Sequence, residues 1–542
     1  MRLKQQISTR PAVGAAAALA VCLFATGRQV SASEQQGTQQ PPAVVAPAPA
    51  PQSTGPELRI SADDAVRMAL ENNLGVQSAR LGPQIGTYGV AQARGAFIPT
   101  LFSSTQTRSA TSPPDFFASG GSGDVTTRES LQTNFGVNQS LPWGGGRYSL
   151  ALDASRQTVN FISSFNPQLG SNLSAQVTQP LLRNFLIDGN RQQLMIARKN
   201  EEIADIQLRQ QLTSTERSVR SAYYDLIGAL GQLDVTRQSL ELSQRSLKDN
   251  ERRVEVGTMA QIDILEAQAE VARNEEAVII AEASIRSFED NLRTLILNPK
   301  QADFWTARII PTERPTLTPQ PVDVEAAVQA ALANRTDIAQ ARKRLESTQI
   351  GLDFARNQKL PDVNLIASYN TVGVAGTVFE FDPQGGFPPT VLNQTQRSFA
   401  DALRDVFGND FKTWSVQLQI NYPIGTSQAD AGLAAARLER EQEVNGIRDL
   451  EVQVTADVRN AGRQVSTSQQ RVEATRKARE FAERRLEAEN KRVTVGLSTT
   501  FQLFQAQRDL DSAKQGELRA LIDYNRALVN FQAVQQAPLT GR

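Results

Sequence analysis

The chain carries two copies of one design, and this duplication constrains its fold more than any other feature. Residues 60–101 align without a gap onto residues 322–363, at an offset of 262. A second block aligns at an offset of 239, with Arg253-Val254-Glu255-Val256-Gly257 over Arg492-Val493-Thr494-Val495-Gly496. The first half is therefore about 23 residues longer in its middle. Each half predicts the order helix, variable middle, long helix, glycine turn, helix.

Apolar residues recur every seven positions in both long helical segments. They are Leu212, Val219, Leu226, Leu233, Leu240, Leu247 and Val254 in the first half, and Val458, Val465, Val472, Leu486 and Val493 in the second, where Arg479 interrupts the series. A sustained seven-residue repeat indicates left-handed coiled-coil packing. The segments 190–256 and 427–495 are each about 68 residues long, which corresponds to about 100 Å of helix.

Shorter helices are predicted beside the long ones. A helix of about 40 residues follows Gly257 and another follows Gly496, and the first of them ends at Asn298-Pro299. After a Pro-rich stretch, a helix of about 36 residues is expected to end at Lys359. Two short helices placed end to end match one long helix. The lengths therefore predict a helical hairpin tower with an irregular belt at mid-height.

The middle segments alternate apolar and polar residues, as strands do. The apolar members are Phe135, Val137 and Leu141; Tyr148, Leu150 and Leu152 beyond a Pro142-Trp143-Gly144-Gly145-Gly146 turn; Leu173, Ala175, Val177 and Leu181; Val363, Leu365, Ala367 and Tyr369; and Trp414, Val416, Leu418, Ile420 and Tyr422. Such alternation fits a barrel with one lipid face and one wet face. A half-buried soluble sheet gives the same pattern.

Long Gly-, Pro- and Asp-rich loops are expected at residues 109–128 and 373–411, with short connections at the other end of the strands. This asymmetry is typical of outer-membrane barrels. Four strands, or even six, do not close a barrel, and open strand edges are not tolerated in lipid. Several copies must therefore pool their strands and their coiled-coil helices.

The N-terminus is typical of an export signal, which we place at residues 1–32. Arg2, Lys4 and Arg10 precede an apolar run that is too short for a transmembrane helix, and cleavage is plausible after Ala32 or Ala25. Cys22 is expected to leave with the signal, because Val21 does not suit a lipoprotein signal; acylation of Cys22 is the alternative. Residues 33–56 are Gln/Pro/Ala-rich and are expected to be a disordered linker.

Composition argues against catalysis and against nucleic-acid binding. The chain has no histidine and one cysteine, which excludes His-based acid–base chemistry and His/Cys metal sites from the mature chain. Lys plus Arg and Asp plus Glu each number 57, so no net charge draws the chain to nucleic acid. Gly144-Gly145-Gly146-Arg147 precedes a strand pattern and is not a phosphate loop. We expect neither enzymatic activity nor a cofactor.

The duplicated order resembles the TolC family of outer-membrane factors. Local matches are Val256-Gly257-Thr258 and Val495-Gly496-Leu497 at the helical turns and Gln179-Pro180-Leu181-Leu182-Arg183 where strand passes to helix. The resemblance covers residues of about 57 to 536. It divides the chain into a first repeat (57–299), an equatorial connection (300–321), a second repeat (322–536) and a tail (537–542).

The resemblance implies an α+β membrane protein that acts as a passive exit duct for efflux or type I secretion. Three protomers would form a β-barrel in the outer membrane, continued by an α-helical coiled-coil tunnel in the periplasm. Twelve strands are usual, and the extra hairpin around Pro142 would raise the number to eighteen if it joins the barrel. The implied partners are a periplasmic adaptor, an inner-membrane pump of the RND or ABC type, and outer-membrane lipid. A coiled-coil scaffold without channel activity is the alternative.

Site residues follow from the same resemblance. The turns at Gly257 and Gly496, with Val256, Thr258, Val495 and Leu497, would meet the adaptor. In the family, two acids after the second turn form negative rings in the pore, but Gln502 and Gln505 occupy those positions here, and the acids stand in the first repeat as Asp263 and Glu266. The family's gate tyrosine and arginine fall on Val493 and Ser498. We expect amide rings at the constriction. Alternatively the first-repeat acids line it, or they are surface charges paired with neighbouring arginines.

Overall fold

The computed structural model describes residues 56–113, 125–161, 163–314, 317, 321–384, 390–425 and 427–536. The helices are α1 (Ala62–Asn72), α2 (Leu74–Gly95), α3 (Gly189–Glu255), α4 (Ile262–Ile296), α5 (Val324–Asn334), α6 (Thr336–Gln358), α7 (Phe399–Gly408), α8 (Gln428–Thr494) and α9 (Thr500–Gln535). The strands are β1 (Glu57–Ile60), β2 (Thr100–Ser112), β3 (Thr126–Ser140), β4 (Arg147–Val159), β5 (Phe165–Pro180), β6 (Arg308–Pro311), β7 (Asp362–Phe381), β8 (Val391–Arg397) and β9 (Lys412–Asn421).

The long helices α3 and α8 confirm the helical predictions within a residue at each end. Each has 67 residues. The Asp188 side chain caps the start of α3 by accepting from the Arg191 N–H, and Ser427 with Asp430 forms a capping box at the start of α8. Both caps satisfy N–H groups that have no partner inside the helix.

The predicted single helix ending at Lys359 is wrong, because the backbone breaks at Arg335. Arg335 is extended, with ψ 131°, and separates α5 from α6. Asn73, the equivalent residue of the first repeat, is extended in the same way and separates α1 from α2. The break redirects α1 and α5, whose alanines and valines then pack into the helical cores.

Two large hydrophobic clusters hold the helices together. One joins α1, α3, α4 and the small parallel pair of β1 and β6, and it contains Tyr223, Leu226 and Leu292. The other joins α5, α8 and α9, and it contains Val458, Val465 and Tyr524. Most of the apolar side chains of each cluster become buried between helices, which supplies the main driving force for packing.

A second stripe of small and polar residues lies three positions after the predicted heptad stripe. In α3 it is fully buried and consists of Thr215, Ala222, Ala229, Thr236, Ser243 and Asn250. The heptad residues Val219 and Leu226 are also buried, whereas Leu233, Leu240 and Leu247 are only half-buried. Small residues at one of the two core positions let neighbouring helices approach closely.

One antiparallel sheet contains the remaining strands, in the order β2-β3-β4-β5-β7, with β8 and β9 both paired to β7. Strand β5 lies along one edge of β7. The other edge of β7 is shared by two strands: β9 pairs with residues 362–371, and β8 pairs with residues 376–381. The extra hairpin of β3 and β4 lies inside this sheet.

The predicted loop at 373–411 is wrong. The segment contains the end of β7, all of β8 and the helix α7. The predicted loop at 109–128 is also shorter than expected, because β2 continues to Ser112 and β3 begins at Thr126. Serine and threonine, at Ser109, Thr111, Ser112, Thr126 and Thr127, extend β2 and β3 into the segment predicted as a loop.

None of the helices in the described segments combines the length and the apolar character that crossing a bilayer requires.

Candidate functional site

Two glycine turns lie at the ends of α3 and α8. Gly257 has φ 75° and Gly496 has φ 77°, which is the left-handed region that glycine enters at little cost. The Thr258 N–H donates to the Arg253 carbonyl oxygen at 2.8 Å, and the Leu497 N–H donates to the Arg492 carbonyl oxygen at 2.8 Å. The two turns are therefore equivalent helix ends, each closed by the same backbone hydrogen bond.

Large apolar side chains are exposed around both turns. The predicted residues Val256, Val495 and Leu497 belong to this set, and Leu497 is 73% exposed. Ile262, Leu265 and Phe501, which were not predicted, are also exposed on the first turns of α4 and α9. Ile262 and Phe501 occupy equivalent positions in the two repeats, at the offset of 239. The repeat alignment would therefore have identified them as a matched apolar pair. Such a cluster at a helix end is typical of an interaction surface.

The two acids of the first repeat have different surroundings. The Asp263 carboxylate is half-buried and accepts a hydrogen bond from the Thr500 hydroxyl, with 2.6 Å between Oγ1 and Oδ1. Glu266 is exposed. Among the described residues neither acid has an arginine partner, so these contacts do not favour the alternative in which the acids pair with neighbouring arginines. Asp263 joins the two turns, and Glu266 faces solvent in the isolated chain.

The two amides of the second repeat also differ. Gln502 is exposed, and its side-chain amide lies within hydrogen-bonding distance of the Ser498 hydroxyl. Gln505 is half-buried, donates to Asp509 Oδ1 at 2.9 Å and accepts from Arg508 Nη2 at 2.9 Å. The structure thus brings the four predicted constriction residues to the same end of the helices, with one exposed member from each repeat.

A polar core lies directly behind these residues. The buried Glu270 carboxylate pairs with Arg273 at 2.6 Å and with Arg508 on α9 at 2.9 Å. Glu489, also buried, accepts from the Ser498 hydroxyl and pairs with Arg492 at 3.5 Å. Burying a carboxylate without such partners would be costly. These acids were not predicted. The sequence feature that could have identified them is an acidic residue at a helix position where the repeat otherwise places core residues.

Burial raises the pKa of Asp511, which lies further along α9, while a hydrogen bond with Ser239 on α3 acts in the opposite direction. A charge on this carboxyl is thus less favourable than in water.

The sheet has one apolar and one polar face. Residues that pair directly across strands share a face, so the registers place on one side Leu101, Phe135, Val137, Leu150, Leu152, Ala175, Val177, Leu365, Tyr369, Trp414, Val416, Leu418 and Ile420. The other side carries Asn134, Asn138, Ser149, Asp153, Asn172, Gln176, Asn364, Ser368, Gln417 and Gln419. Many of the apolar residues are exposed.

Comparison with known proteins places this arrangement in a family. A family model described as outer membrane efflux protein matches residues 147–296 and 327–534. These segments begin in β4 and α5 and end in α4 and α9, so they include both glycine turns. No curated protein matches the sequence.

Solved structures share the fold at low sequence identity. The CmeC outer membrane channel of Campylobacter jejuni is 13% identical, with a TM-score of 0.61 over 88% of this chain and 85% of CmeC. The outer membrane protein VceC of Vibrio cholerae is 16% identical, with a TM-score of 0.60 over 88% and 95%. The open state of the MtrE outer membrane channel of Neisseria gonorrhoeae is 16% identical, with a TM-score of 0.57 over 88% of both chains.

The matched family segments cover more than half of the chain, and the sequence resemblance is confirmed. Members of this family are efflux channels and not enzymes, which also confirms the prediction of a transport protein. The chain belongs to the outer membrane efflux protein family.

Proposed function

We propose that three copies of this chain form the outer-membrane exit duct of a tripartite efflux or type I secretion system. Transport through the duct is passive and is driven by an inner-membrane pump through a periplasmic adaptor. The observation that carries this proposal is the sheet, which has one exposed apolar face, one polar face and two open edges among the described residues. In a barrel the apolar face meets lipid and the polar face lines water.

The open edges support closure by several copies. Strand β2 is one edge of the sheet, and β8 with β9 is the other. Unpaired backbone groups at these edges are not tolerated in lipid, so a barrel in the membrane requires pairing between protomers. The sheet has six strand positions when β8 and β9 are counted as one, because β3 and β4 lie within it. Three copies therefore give eighteen strands rather than twelve.

The helices support the same assembly. Leu233, Leu240 and Leu247 continue the heptad stripe of α3 but stay half-buried in one chain. Neighbouring protomers would complete their burial and close a helical tunnel below the barrel. At 67 residues, α3 and α8 each span about 100 Å, which suits a tunnel that crosses much of the periplasm.

The tips are proposed to contact the adaptor. Val256, Val495 and Leu497 present apolar surface there, while the glycines leave their turns open to a partner's backbone. We further propose that Gln502 and Gln505 line the constriction. The exposed side chain of Gln502 supports an amide ring. The exposed side chain of Glu266 supports the alternative, in which the first repeat contributes acids to the lining.

The proposed division of the chain follows from these roles. Residues 57–299 and 322–536 are the two repeats, and 300–321 is the connection between them. The proposed signal peptide at 1–32, Cys22, the linker up to residue 55 and the tail at 537–542 lie outside the described residues.

Detergent extraction, cross-linking and conductance test the proposal together. We expect the protein to fractionate with the outer membrane, to cross-link in a ladder that ends at three, and to conduct ions in planar bilayers. Release as a soluble, non-conducting protein would instead support a coiled-coil scaffold. A monomer by light scattering in detergent would contradict the trimer. Genes for an adaptor and a pump beside this one would identify the pump type.

A further inference from the structure

Helix α7 interrupts the outer edge of the sheet. Strand β9 pairs with β7 up to Thr371, and β8 resumes the pairing at Gly376. Residues 398–411, which include α7, replace the strand positions opposite Val372–Ala375. Two backbone groups of this interval are nevertheless bonded: the Val372 N–H donates to the Phe411 carbonyl oxygen at 3.1 Å, and Arg397 Nη1 donates to the Val374 carbonyl oxygen at 3.0 Å.

The same arginine fixes the helix to the sheet. Arg397 Nη2 donates to both carboxylate oxygens of Asp405, at 2.9 and 2.7 Å. A capping box of Ser398 and Asp401 starts the helix, and Ala402 is buried. Gly373 permits the close contact, since a Cβ there would lie 1.9 Å from the Ala402 carbonyl oxygen. The helix is therefore a packed element of the sheet and not a free loop.

Contacts with α7 show which face of the sheet it covers. Gly373 alternates in phase with Leu365, Ala367 and Tyr369, and the register with β5 is regular from Asn364 to Gly376. The Tyr369 hydroxyl also donates to the Asn409 side chain at the end of the helix. Helix α7 thus lies on the apolar face, at the end of the apolar rows. Its neighbours Ser171 and Thr371 on that face are each only 2% exposed.

The outer side of α7 carries one exposed aromatic side chain, Phe407, together with the exposed Arg404. Phe407 is 69% exposed, and Trp414, which begins the apolar rows of β9, is 67% exposed. The buried residues Ala402, Asp405 and Val406 occupy the opposite side of the helix. Helix α7 therefore presents the exposed ring of Phe407 away from the sheet, at the end of the apolar rows.

We propose that α7 is an interfacial helix that inserts Phe407 into the outer leaflet of the membrane, on the lipid side of the barrel. The inference rests on the proposed function, because it requires the apolar face to meet lipid. The occupant of this surface is the boundary between acyl chains and headgroups, where amphipathic helices and aromatic side chains are stabilised. The position of α7 on the apolar face, at the end of the apolar rows, favours lipid over a protein partner.

Single-tryptophan fluorescence tests the position of α7. The chain has three tryptophans, so Trp143, Trp305 and Trp414 are changed to Phe and one new tryptophan is added. Phe407→Trp reports on α7, and Val416→Trp reports on the apolar rows of β9. Purified trimers are reconstituted into bilayers of phosphatidylcholine brominated either near the headgroup or deep in the acyl chain, and acrylamide is used as the aqueous quencher.

We expect the Phe407→Trp fluorescence to be lost mainly to the shallow bromines, and the Val416→Trp fluorescence to be lost more to the deep bromines. Adding Arg397→Gln should release α7, reduce shallow quenching of Phe407→Trp and increase its quenching by acrylamide. The inference is overturned if Val416→Trp is quenched by bromine while Phe407→Trp responds only to acrylamide, or to neither quencher, as it would under a protein partner. If neither tryptophan is quenched by bromine, the barrel itself is contradicted.

Discussion

The Thr500 hydroxyl donates a hydrogen bond to the Asp263 carboxylate, and this contact joins the start of α9 to the start of α4 across the two repeats. Thr500 is buried, and hydrogen bonds to a charged group contribute about 1.5–3 kcal/mol. The contact therefore couples the two helical tips, at the end of the long helices where we place the constriction.

Thr500→Val removes this contact while keeping the shape of the side chain. We expect faster amide exchange in residues 256–263 and 495–502 and a higher conductance in bilayers, because the tips are no longer joined. Thr494→Val is the matched control, since the Thr494 hydroxyl donates to the Asn490 carbonyl oxygen of its own helix and, within the described segments, makes no bond to another helix. Equal exchange in the two variants would show that the contact does not hold the tips together.

Charge substitutions distinguish amide rings from acidic rings at the constriction. Gln502→Asp with Gln505→Asp should introduce block by divalent cations, because three copies would place six new carboxylates in the pore. Asp263→Asn with Glu266→Gln should change divalent block little. Planar-bilayer conductance with and without divalent cations measures both. The opposite pattern would assign the lining to the first repeat.

Leu497→Glu tests the adaptor contact. The side chain is exposed, and among the described residues it packs against no hydrophobic cluster, so trimers should assemble normally. We expect binding of the adaptor encoded with this protein to weaken by at least about tenfold, since a charge would be buried in an apolar contact.

Thr258→Glu is less specific, because the Thr258 hydroxyl stabilises its own turn. Gln470→Glu, at an exposed position in the middle of α8, adds the same charge away from the tip as a control. Full binding by Leu497→Glu would limit the glycine turns to a structural role.

Because Arg479 and Glu517 form an ion pair, we expect their substitutions to have non-additive effects on the free energy of unfolding. Arg479 interrupts the heptad stripe of α8 and pairs with Glu517 on α9 and with Glu483. Arg479→Leu should destabilise the protein by about 1–3 kcal/mol, because it leaves the mostly buried Glu517 unpaired. Adding Glu517→Leu should recover most of the loss by completing the apolar stripe. Thermal unfolding followed by circular dichroism measures both.

Arg471→Leu is the control for that pair. Arg471 bonds to Asp523 across the same two helices but is exposed, so its loss should cost less than about 1 kcal/mol. Additive losses in the Arg479 and Glu517 variants would contradict the coupling.

A network of four charges between α3 and α6 predicts a specific acid sensitivity. Hydrogen bonds from Lys199 and Lys343 hold the pKa of Glu202 and of Glu346 below the ordinary value of 4.5. A lowered pKa in the folded state stabilises the fold above the unfolded value, and this contribution is lost as the pH falls below about 4.5. Conversely, the lysine pKa values are raised, so the lysine contribution is lost above about 10.5.

Glu202→Gln with Glu346→Gln should therefore lower stability at neutral pH and flatten its decline in acid. Both glutamates are partly exposed, so the effect is expected to be modest. Denaturant unfolding between pH 3 and 7 measures it. Glu439→Gln with Glu441→Gln, at exposed positions of α8, should leave the acid decline unchanged. An unaltered decline in the network variant would contradict the assignment.

Local periodicity made much of this fold predictable. The heptad spacing through Val219 and Val458 predicts helices of the observed length, because a seven-residue repeat acts within one helix. Gly257 and Gly496 mark the turns because their backbone angles suit glycine. Alternation through Trp414 and Val416 predicts a strand for the same local reason. The duplication shows that each of these elements except the strands occurs twice at matching places.

Other features depend on contacts that no local pattern records. Asp263 meets Thr500 at a separation of 237 residues, so its role as a link between the tips could not be inferred from either neighbourhood. Helix α7 lies within a predicted loop because its ten residues are too few for a clear periodicity, and its stability depends on Arg397 and Gly373 of the sheet.

The sequence by itself determined the duplication, the long helices, their glycine turns and the alternating strands, since each follows from interactions among near neighbours. The tertiary structure alone decided that β3 and β4 join the sheet, that α7 covers its apolar face, and which acids are paired at the tips. These outcomes require the packing of segments that are distant in the chain, where strand edges, buried charges and close backbone contacts must all be satisfied together.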